Sequence, residues 1–378
     1  MFDYESLRFI WWVLVCVLLI GFAITDGFDM GVLNLLPFAG KKEVEKRIMI
    51  NSVAPHWDGN QVWLLTAGGA MFAAWPIVYA ASFSGFYIAM ILVLAALFFR
   101  PVGFEYRAKI DNPTWRKAWD WGLFLGGFVP SLVFGVAFGN LLQGVPFEFN
   151  DLMQVNYTGS FFELLNPFAI LCGLISLSML TAHGAAWLQM KTTADLRLRA
   201  RTITQVGSFA TLITFVLAGV WLLYKDGFVV TSVIDHYAPS SPLGKTVELQ
   251  TGAWFNNFTA QPVLFILPAL AVLGSLLTIT ASKANRSGFA FFFSSLTMIG
   301  VILTCATAMF PFVMPSITHP EMSLLMWDST SSELTLTLML FLALVFVVIS
   351  LIYTIWSYYK MFGRLDSDFI EEHKNSLY

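Results

Sequence analysis

The feature that most constrains this chain is a series of apolar runs, each long enough to cross a lipid bilayer as one helix. Such a helix needs roughly 20 consecutive, mostly apolar residues. Hydrophobic residues make up 57% of the 378-residue sequence and charged residues 12%, and no segment has the charge and periodicity of a soluble domain. The sequence therefore predicts an all-α polytopic membrane protein built from helix bundles, with residues 1–378 as a single integral membrane domain.

The sequence contains nine such runs. They cover residues 7–24, 61–81, 83–99, 120–142, 161–188, 203–224, 262–281, 288–310 and 334–359. The second and third runs are separated only at residues 81–82, so we expect a tight connection there. We predict about nine transmembrane helices.

The positions of lysine and arginine predict the orientation independently. Of the 21 basic residues, 18 follow the first, third, fifth, seventh or ninth run, whereas Arg8, Lys225 and Lys245 fall on the opposite side. Cytoplasmic loops carry this excess of positive charge. We therefore predict an external N-terminus and a cytoplasmic C-terminus. The basic residues then set topology, and nothing in the sequence favours binding to nucleic acid.

Polar residues gather where the first, second and third runs meet the predicted cytoplasmic side. The segment PHWDGNQVW contains His56 and Asp58, while Asp26 and Asp29 follow the first run and Arg100 follows the third. The two aspartates share one helix face at i, i+3, where two carboxylates repel and one tends to hold its proton. These residue types at one depth predict a path that hands protons inward from the cytoplasm.

The same residues also allow a purely structural interpretation. Asp26 and Asp29 could end the first helix, and Asp58 could cap the next one near its N-terminus. Arg100 could extend along the helix to the membrane surface. From the residues alone, both interpretations stay open.

His183, late in the fifth run, is the one histidine that a membrane helix could present to a metal or a haem iron. A lone histidine in such a place is more often a hydrogen-bonded packing residue. No pair of histidines has the spacing of a metal site, and the sequence lacks CxxC pairs and nucleotide-binding glycine motifs. We therefore expect no certain metal or cofactor ligand in this chain.

Several motifs resemble subunit II of the bacterial cytochrome bd quinol oxidases, in its enterobacterial type. The matching motifs are RFIWW (8–12), TDGFDMG (25–31), HWDGNQVW (56–63), FRPVGF (99–104), FGNLL (138–142), FPFVMPS (310–316), WD (327–328) and the final LY (377–378). The resemblance covers essentially the whole chain, and several of these motifs are too long to arise by chance.

This resemblance implies a heterodimer in the bacterial inner membrane, together with a larger, homologous subunit I. Haems b558, b595 and d would be held by subunit I or lie at the interface. The complex would oxidise quinol, reduce dioxygen to water and take protons from the cytoplasm, which generates a proton motive force. Further partners that the resemblance allows are a small accessory subunit, a quinone bound to this chain, and membrane lipid.

The resemblance also implies roles for particular residues. Asp58, the Glu105 to Lys109 region and the terminal Tyr378 map onto part of a proton route in the family. Trp63 maps to the subunit interface, near a lateral oxygen path. The family usually has aspartate where this chain has Glu105, which keeps the charge but extends the side chain by one methylene.

Two other functions remain open from the residues. A secondary transporter also uses membrane carboxylates, but it typically has paired Gly- or Pro-broken helices in matching halves. Here only Pro130 and Gly173 suggest such breaks. An inert scaffold that merely stabilises its partner is the third possibility. We predict a non-haem, structural and proton-conducting subunit of a cytochrome bd-type oxidase.

Overall fold

The computed structural model describes residues 2–373 and Leu377, and it is built mainly from α-helices. In chain order these are α1 (Tyr4–Ala39), α2 (Glu43–Val53), α3 (Trp57–Ala74), α4 (Pro76–Gly85), α5 (Tyr87–Leu97), α6 (Phe99–Tyr106), α7 (Pro113–Gln143), α8 (Pro167–Lys191), α9 (Ala194–Leu222), α10 (Asn256–Ala260), α11 (Ile266–Lys283), α12 (Ser287–Met309), α13 (Glu333–Lys360) and α14 (Ser367–Glu372). The predicted fold class, an all-α polytopic membrane protein, is confirmed.

Six short strands connect some of the helices as three two-stranded antiparallel hairpins. They pair β1 (Phe147–Phe149) with β2 (Val155–Tyr157), β3 (Asp226–Val230) with β4 (Val247–Thr251), and β5 (Phe312–Met314) with β6 (Leu324–Leu325). We call the end of the bundle that carries these hairpins the loop end. The opposite end, which carries α2 and the connection between α8 and α9, is called the basic end.

Eight segments within the described part of the chain are long and apolar enough to cross a membrane. They are Tyr4–Ala39, Tyr87–Tyr106, Pro113–Gln143, Pro167–Lys191, Ala194–Leu222, Pro262–Lys283, Ser287–Met309 and Glu333–Lys360. The predicted run 61–81 has no counterpart among them, although α3 covers most of it as a helix of 18 residues. The count of nine spans and the orientation of the termini stay predictions.

The predicted break between the second and third spans is wrong in position. We expected it at residues 81–82, which lie inside α4. The chain leaves the helical conformation on both sides of α4, at Trp75 (φ −131°, ψ 70°) and at Phe86 (φ −94°, ψ 20°). A residue before proline is disfavoured in the helical conformation, and Pro76 then opens α4 at a position where its missing N–H is harmless. A proline that we had placed inside a span therefore begins a separate short helix.

Helix α1 is far longer than the predicted span 7–24. Its 36 residues correspond to about 54 Å of helix, well beyond the roughly 30 Å of a bilayer core. The polar residues that ended the predicted span lie inside this helix, because they are buried against other helices and bonded there. The interpretation in which Asp26 and Asp29 end a helix is therefore wrong.

Helix α1 packs at the centre of the bundle against α3, α7, α8 and α12. Its closest approach is to α8, where Gly31 faces Gly184. A Cβ atom at Gly31 would lie 2.1 Å from the carbonyl oxygen of Leu180, and one at Gly184 would lie 2.4 Å from the carbonyl carbon of Gly31. Small residues permit such close backbone contact between membrane helices. The crossing of α1 and α8 therefore depends on both glycines.

Helix α13 has the opposite surroundings, since only 6% of its apolar window is buried. Near its start, Leu336 and Leu340 are buried, and the Trp11 indole donates to the carbonyl of Leu336 at 3.1 Å. Near its end, Tyr358 reaches into the bundle. The stretch between these contacts exposes large apolar side chains, which need lipid or another chain to cover them.

At the loop end, the completely buried Arg8 joins α1 to two connecting segments. Its Nε donates to Thr330 Oγ1 at 2.9 Å and its Nη1 to the carbonyl of His236 at 2.6 Å. Its Nη2 donates to the carbonyl of Ala238 and to Ser240 Oγ, both at 3.0 Å. These four bonds hold two connecting segments against the start of α1. One segment lies between β3 and β4, and the other lies just before α13.

Candidate functional site

Two buried carboxylates and one buried guanidinium lie together within the bundle, on the side of the basic end. Asp26 and Asp29 belong to α1, and Arg100 reaches them from α6. Arg100 donates from Nη1 to Asp26 Oδ2 at 2.8 Å and from Nη2 to Asp26 Oδ1 at 2.5 Å. Its Nη2 also lies 3.8 Å from Oδ2 of Asp29, and all three side chains are 0% exposed. The interpretation in which Arg100 extends to the membrane surface is therefore wrong.

This carboxylate site holds two acidic groups but only one compensating cation. The bidentate geometry commits the guanidinium of Arg100 to Asp26, which leaves Asp29 the less compensated group. Because an uncompensated buried charge is costly, the site is electrically balanced when it binds one proton. Within the described residues, Oδ1 of Asp29 and Nε of Arg100 have no hydrogen-bond partner. The site can therefore bind and release a proton.

Asn60 and Tyr358 complete the site, although sequence reasoning selected neither. Asn60 Nδ2 donates to Asp29 Oδ2 at 2.8 Å. Tyr358 Oη donates to Asn60 Oδ1 at 2.6 Å, across a separation of 298 residues. Asn60 stands within the HWDGNQVW motif, one helical turn after His56, and that spacing was a usable signal. Nothing local marked Tyr358, because its role depends on how α13 folds back on the bundle.

His56 lies on the basic side of this pair, immediately before α3. Its imidazole stacks on the Tyr358 ring, with centroids 4.3 Å apart and planes 9° from parallel, and it is 6% exposed. Burial, together with the nearby positive charge of Lys191, lowers the pKa of His56 to about 4. The imidazole is therefore neutral at pH 7, and it lies between the carboxylate site and the basic end.

The other residues that the sequence singled out for a proton route are more peripheral. Asp58, Glu105 and Lys109 have exposed side chains, whereas the carboxylate site is buried. Asp58 lies in the first turn of α3, near the helix N-terminus as the structural interpretation expected, but the N-cap position itself is occupied by His56. Tyr378 lies outside the residues that the structure describes.

Trp63 follows Asn60 by three residues and is half-buried. Its ring lies against α1, where a Cβ atom at Gly21 would be only 2.4 Å from it. The adjacent face of α3 is exposed, with Val62 and Leu65 presenting their apolar side chains outward. Trp63 thus connects the packed core to a face of α3 that this chain leaves uncovered.

His183 is completely buried, and both of its ring nitrogens have partners within the protein. Nδ1 lies 2.7 Å from Ser294 Oγ, and Nε2 lies 3.0 Å from the carbonyl oxygen of Ile24. The ring stacks on Phe291 at 4.3 Å between centroids. Across residues 2–373 and 377, no three His, Cys, Asp or Glu side chains group as a metal site. The surroundings of His183 do not fit a haem ligand.

An ion-pair network at the basic end positions α6, which carries Arg100. Arg107, at the end of α6, donates from Nε to Asp120 at 2.6 Å and from Nη1 to Glu43 at 2.7 Å. Lys46 lies 2.7 Å from the same Asp120. Burial acts to raise the pKa of Glu43, but the hydrogen bond from Arg107 and the positive charges of Arg107, Arg116 and Lys46 together outweigh it and hold that pKa below its usual value. The network ties α2, α6 and α7 together.

A separate cavity of about 440 Å³ lies between α1, α7, α8, α9, α11 and α12. Its lining is almost entirely apolar, with aromatic side chains such as Phe22 and Phe134, and with Cys172 and Cys305 among the few heteroatom-bearing groups. None of the described residues in its wall carries a charged side chain. The cavity is suited to an apolar guest and not to proton chemistry.

Comparison with known proteins agrees with the motifs. The family model of cytochrome bd terminal oxidase subunit II matches residues 7–361. This chain belongs to that family. It is 77% identical to "Probable cytochrome oxidase subunit 2" of Haemophilus influenzae and 60% identical to "Cytochrome bd-I ubiquinol oxidase subunit 2" of Escherichia coli K12, in each case over 100% of both chains.

More distant relatives share the fold. "Cytochrome bd ubiquinol oxidase subunit 2" of Bacillus subtilis is 34% identical and covers 95% of this chain and 97% of its own. A chain in the solved structure of bd oxidase from Geobacillus thermodenitrificans superposes with a TM-score of 0.67 at 14% identity, over 94% of this chain and 97% of that one. At that identity the match supports the fold alone.

Family membership establishes the general function. The chain is subunit II of a cytochrome bd terminal oxidase and forms a complex with subunit I. The complex is a haem-containing quinol oxidase that reduces dioxygen to water in aerobic respiration. The chain is a multi-pass protein of the bacterial inner membrane.

Proposed function

We propose that this chain supplies part of the proton route of the oxidase, and that the carboxylate site is the buried proton-binding site on that route. The observation that supports this proposal is the sharing of one guanidinium by two fully buried carboxylates. Buried ionisable residues in membrane proteins are costly and tend to mark ion or proton pathways. Here Arg100 is committed to Asp26 by a bidentate pair of hydrogen bonds, and Asp29, at 3.8 Å from the same guanidinium, is the group that takes up and gives up the proton.

The proposed route begins at the basic end. In the orientation that the basic residues predict, this end faces the cytoplasm. Asp58, Glu105 and Lys109 then form an exposed entrance. The terminal Tyr378, which lies outside the described residues, is assigned to the same route by the family resemblance alone. His56 lies between this entrance and Asp29, and its neutral ring can accept a proton. Protons taken from the cytoplasm contribute to the proton motive force.

The exposed apolar faces of α3 and α13 are proposed as the contact with subunit I. Both faces lack cover within the described chain, and Trp63 lies beside them. In this arrangement haems b558, b595 and d belong to subunit I or to the interface, since both ring nitrogens of His183 already have partners within this chain. A lateral oxygen path beside Trp63 and a small accessory subunit complete this proposal.

The apolar cavity is proposed as the place for a quinone bound to this subunit. Its lining by side chains such as Phe22, Phe134 and Met179 suits an isoprenoid tail. Among the described residues, no charged side chain lines it, so it offers a tail site and not a place for quinol oxidation. A bound quinone would here support the bundle.

The proton role is tested by Asp29→Asn in the purified two-subunit complex. The substitution keeps the size of the side chain and removes the titratable group, so we expect quinol oxidase turnover to fall about 100-fold while haem content stays normal. Asp151→Asn, at an exposed position of the loop end, is the matched control and should leave turnover unchanged.

Two outcomes would contradict the proposal. Normal turnover of an assembled Asp29→Asn complex would remove Asp29 from the route. Loss of the complex in Asp29→Asn, together with normal turnover in other substitutions at Asp29 that still assemble, would favour an inert scaffold, whose substitutions affect assembly and not proton transfer.

A further inference from the structure

The amide of Asn60 lies between a carboxylate and a phenol. Its Nδ2 donates to Asp29 Oδ2 at 2.8 Å, and its Oδ1 accepts from Tyr358 Oη at 2.6 Å. Asn60 is 2% exposed. Nδ2 also donates to the carbonyl of Thr25 at 3.3 Å. Both ends of the amide are therefore committed. Two orientations, related by a half-turn, can satisfy Asp29 and Tyr358, and the half-turned one gives up the bond to Thr25.

The charge of Asp29 decides between these orientations. An ionised carboxylate only accepts hydrogen bonds, so it requires the NH₂ end of the amide to face it. A protonated carboxyl also has an O–H donor, and the carbonyl end of the amide is the acceptor that fits this donor. The half-turn then points the NH₂ group at Tyr358 Oη, which changes from donor to acceptor.

An amide also interrupts proton transfer. Its nitrogen holds both of its protons and its oxygen is a weak base, so the chain from Tyr358 through Asn60 to Asp29 is not a proton wire. A proton that reaches Asp29 must come past Asn60 and binds Oδ1, which has no partner among the described residues. A half-turn of the carboxyl group then brings the new O–H to face the amide. The amide responds to that proton without carrying it.

Tyr358 is well placed to transmit the response. It is the inner contact of α13, whose middle is largely exposed, and its ring stacks on His56 on the entrance side. Its ring also packs edge-on against Phe28 and Trp187. A change in its hydrogen bond therefore acts both on the entrance and on the helix proposed to face subunit I.

We propose that Asn60 and Tyr358 form a proton-controlled gate over Asp29, in which the amide orientation follows the protonation of Asp29 and the Tyr358 hydroxyl follows the amide. This inference rests on the proposed proton role of the carboxylate site. In the ionised state Tyr358 is bonded inward and the entrance is ready to admit a proton. In the protonated state that bond is reversed, so Tyr358 Oη accepts from Asn60 and its own proton turns away from the amide, which changes the contact that α13 makes with the bundle.

The gate is tested by infrared difference spectra of the intact oxidase complex recorded across a pH titration. Asp29→Asn identifies the carboxyl band of Asp29, and Tyr358→Phe, which keeps the ring, identifies the phenol band of Tyr358. We expect both bands to change with one common midpoint in the wild-type complex. In Asn60→Leu, which keeps the approximate shape but removes the amide, the carboxyl band should still titrate while the phenol band stays constant.

Several results would overturn the gate. A phenol band that does not change in the wild type, or that still follows Asp29 in Asn60→Leu, would show that the amide does not couple them. Absence of a titrating Asp29 band would do the same. Tyr358→Phe should also lower turnover about fivefold, the equivalent of one hydrogen bond. If Asp29→Asn abolishes turnover but the two bands are uncoupled, the proton role stands and the gate fails.

Discussion

Arg8 and Arg100 are both completely buried, yet their partners differ in kind. Arg8 donates to hydroxyl and carbonyl oxygens of Thr330, His236, Ala238 and Ser240. Arg100 donates to the carboxylate of Asp26, beside a second carboxylate. The first arginine binds groups that cannot titrate, and the second binds groups that can.

The two arginines therefore differ in role: Arg8 makes a structural contact, whereas Arg100 belongs to a site whose charge can change. The direct acceptors of Arg8 are hydroxyl and carbonyl oxygens, so its bonds hold connecting segments in place at the loop end. The charge around Arg100 depends on the number of protons bound by two carboxyl groups. Burial of an arginine therefore says little about its role until its acceptors are known.

The largest effect that tests this comparison is expected for Arg100→Met. It would leave two carboxylates buried without a cation, and breaking such a pair costs about 3–5 kcal/mol. We expect strongly reduced amounts of assembled complex, measured by haem content after purification. Arg100→Lys keeps a positive charge without the bidentate geometry and should recover part of the assembly. A full yield of Arg100→Met would show that one or both aspartates are already neutral.

A smaller effect, of a different kind, is expected for Arg8→Met. Loss of its bonds leaves the part-buried carbonyls of His236 and Ala238 without this donor, at about 2 kcal/mol in total. The segment between β3 and β4 should become more sensitive to limited proteolysis, while turnover per assembled complex stays normal. Reduced turnover without increased cleavage would erase the distinction between the two arginines.

Acidification is expected to lower the stability of the folded chain through His56. Its pKa of about 4 in the folded chain lies below its ordinary value of 6.5, so the unfolded chain binds the additional proton as pH falls. Stability contributed by the neutral ring is complete above pH 6.5 and declines as pH falls from there through 4. The melting temperature of wild type should drop more between pH 7 and pH 5 than that of His56→Phe, which keeps the ring stacked. Equal drops would contradict this account.

The smallest effect is expected at the edge of the network that supports α6. Glu43 bonds to Arg107 but is 43% exposed, and exposed ion pairs contribute about 0.5 kcal/mol. Glu43→Gln should shift the melting temperature only slightly, and the shift should shrink further at high salt. An effect as large as that of Arg100→Met would mean that positioning of α6, and not the charge of the site, dominates stability.

The helical membrane architecture was predictable because it depends on local composition. Asp26, Asp29 and Arg100 were also identifiable, since polar residues stand out in apolar runs. The sequence did not reveal that Trp75 and Pro76 divide a span, because a hydropathy window averages over a proline. It also could not reveal that α1 continues past Asp29, because that depends on tertiary partners that satisfy the carboxylates.

The remaining parts of the site depend on contacts between distant segments. Tyr358 reaches Asn60 across 298 residues, and no periodicity in α13 indicates it. The same limit applied to His183, whose partners Ser294 and Ile24 lie on two other segments. Sequence reasoning identified residue types that suit proton chemistry, and the fold determined which of them meet.

The length of α1 has an electrical consequence. Asp26 follows Tyr4, the first residue of the helix, by 22 positions, which is about 33 Å along the axis. A bilayer core is roughly 30 Å thick, so in the proposed orientation the carboxylate site lies close to the cytoplasmic boundary. A proton that enters from the cytoplasm and stops at Asp29 has crossed only a small part of the membrane potential. Protonation of the carboxylate site should therefore depend little on voltage. In the proposed route, most of the charge movement across the membrane potential then occurs beyond this site.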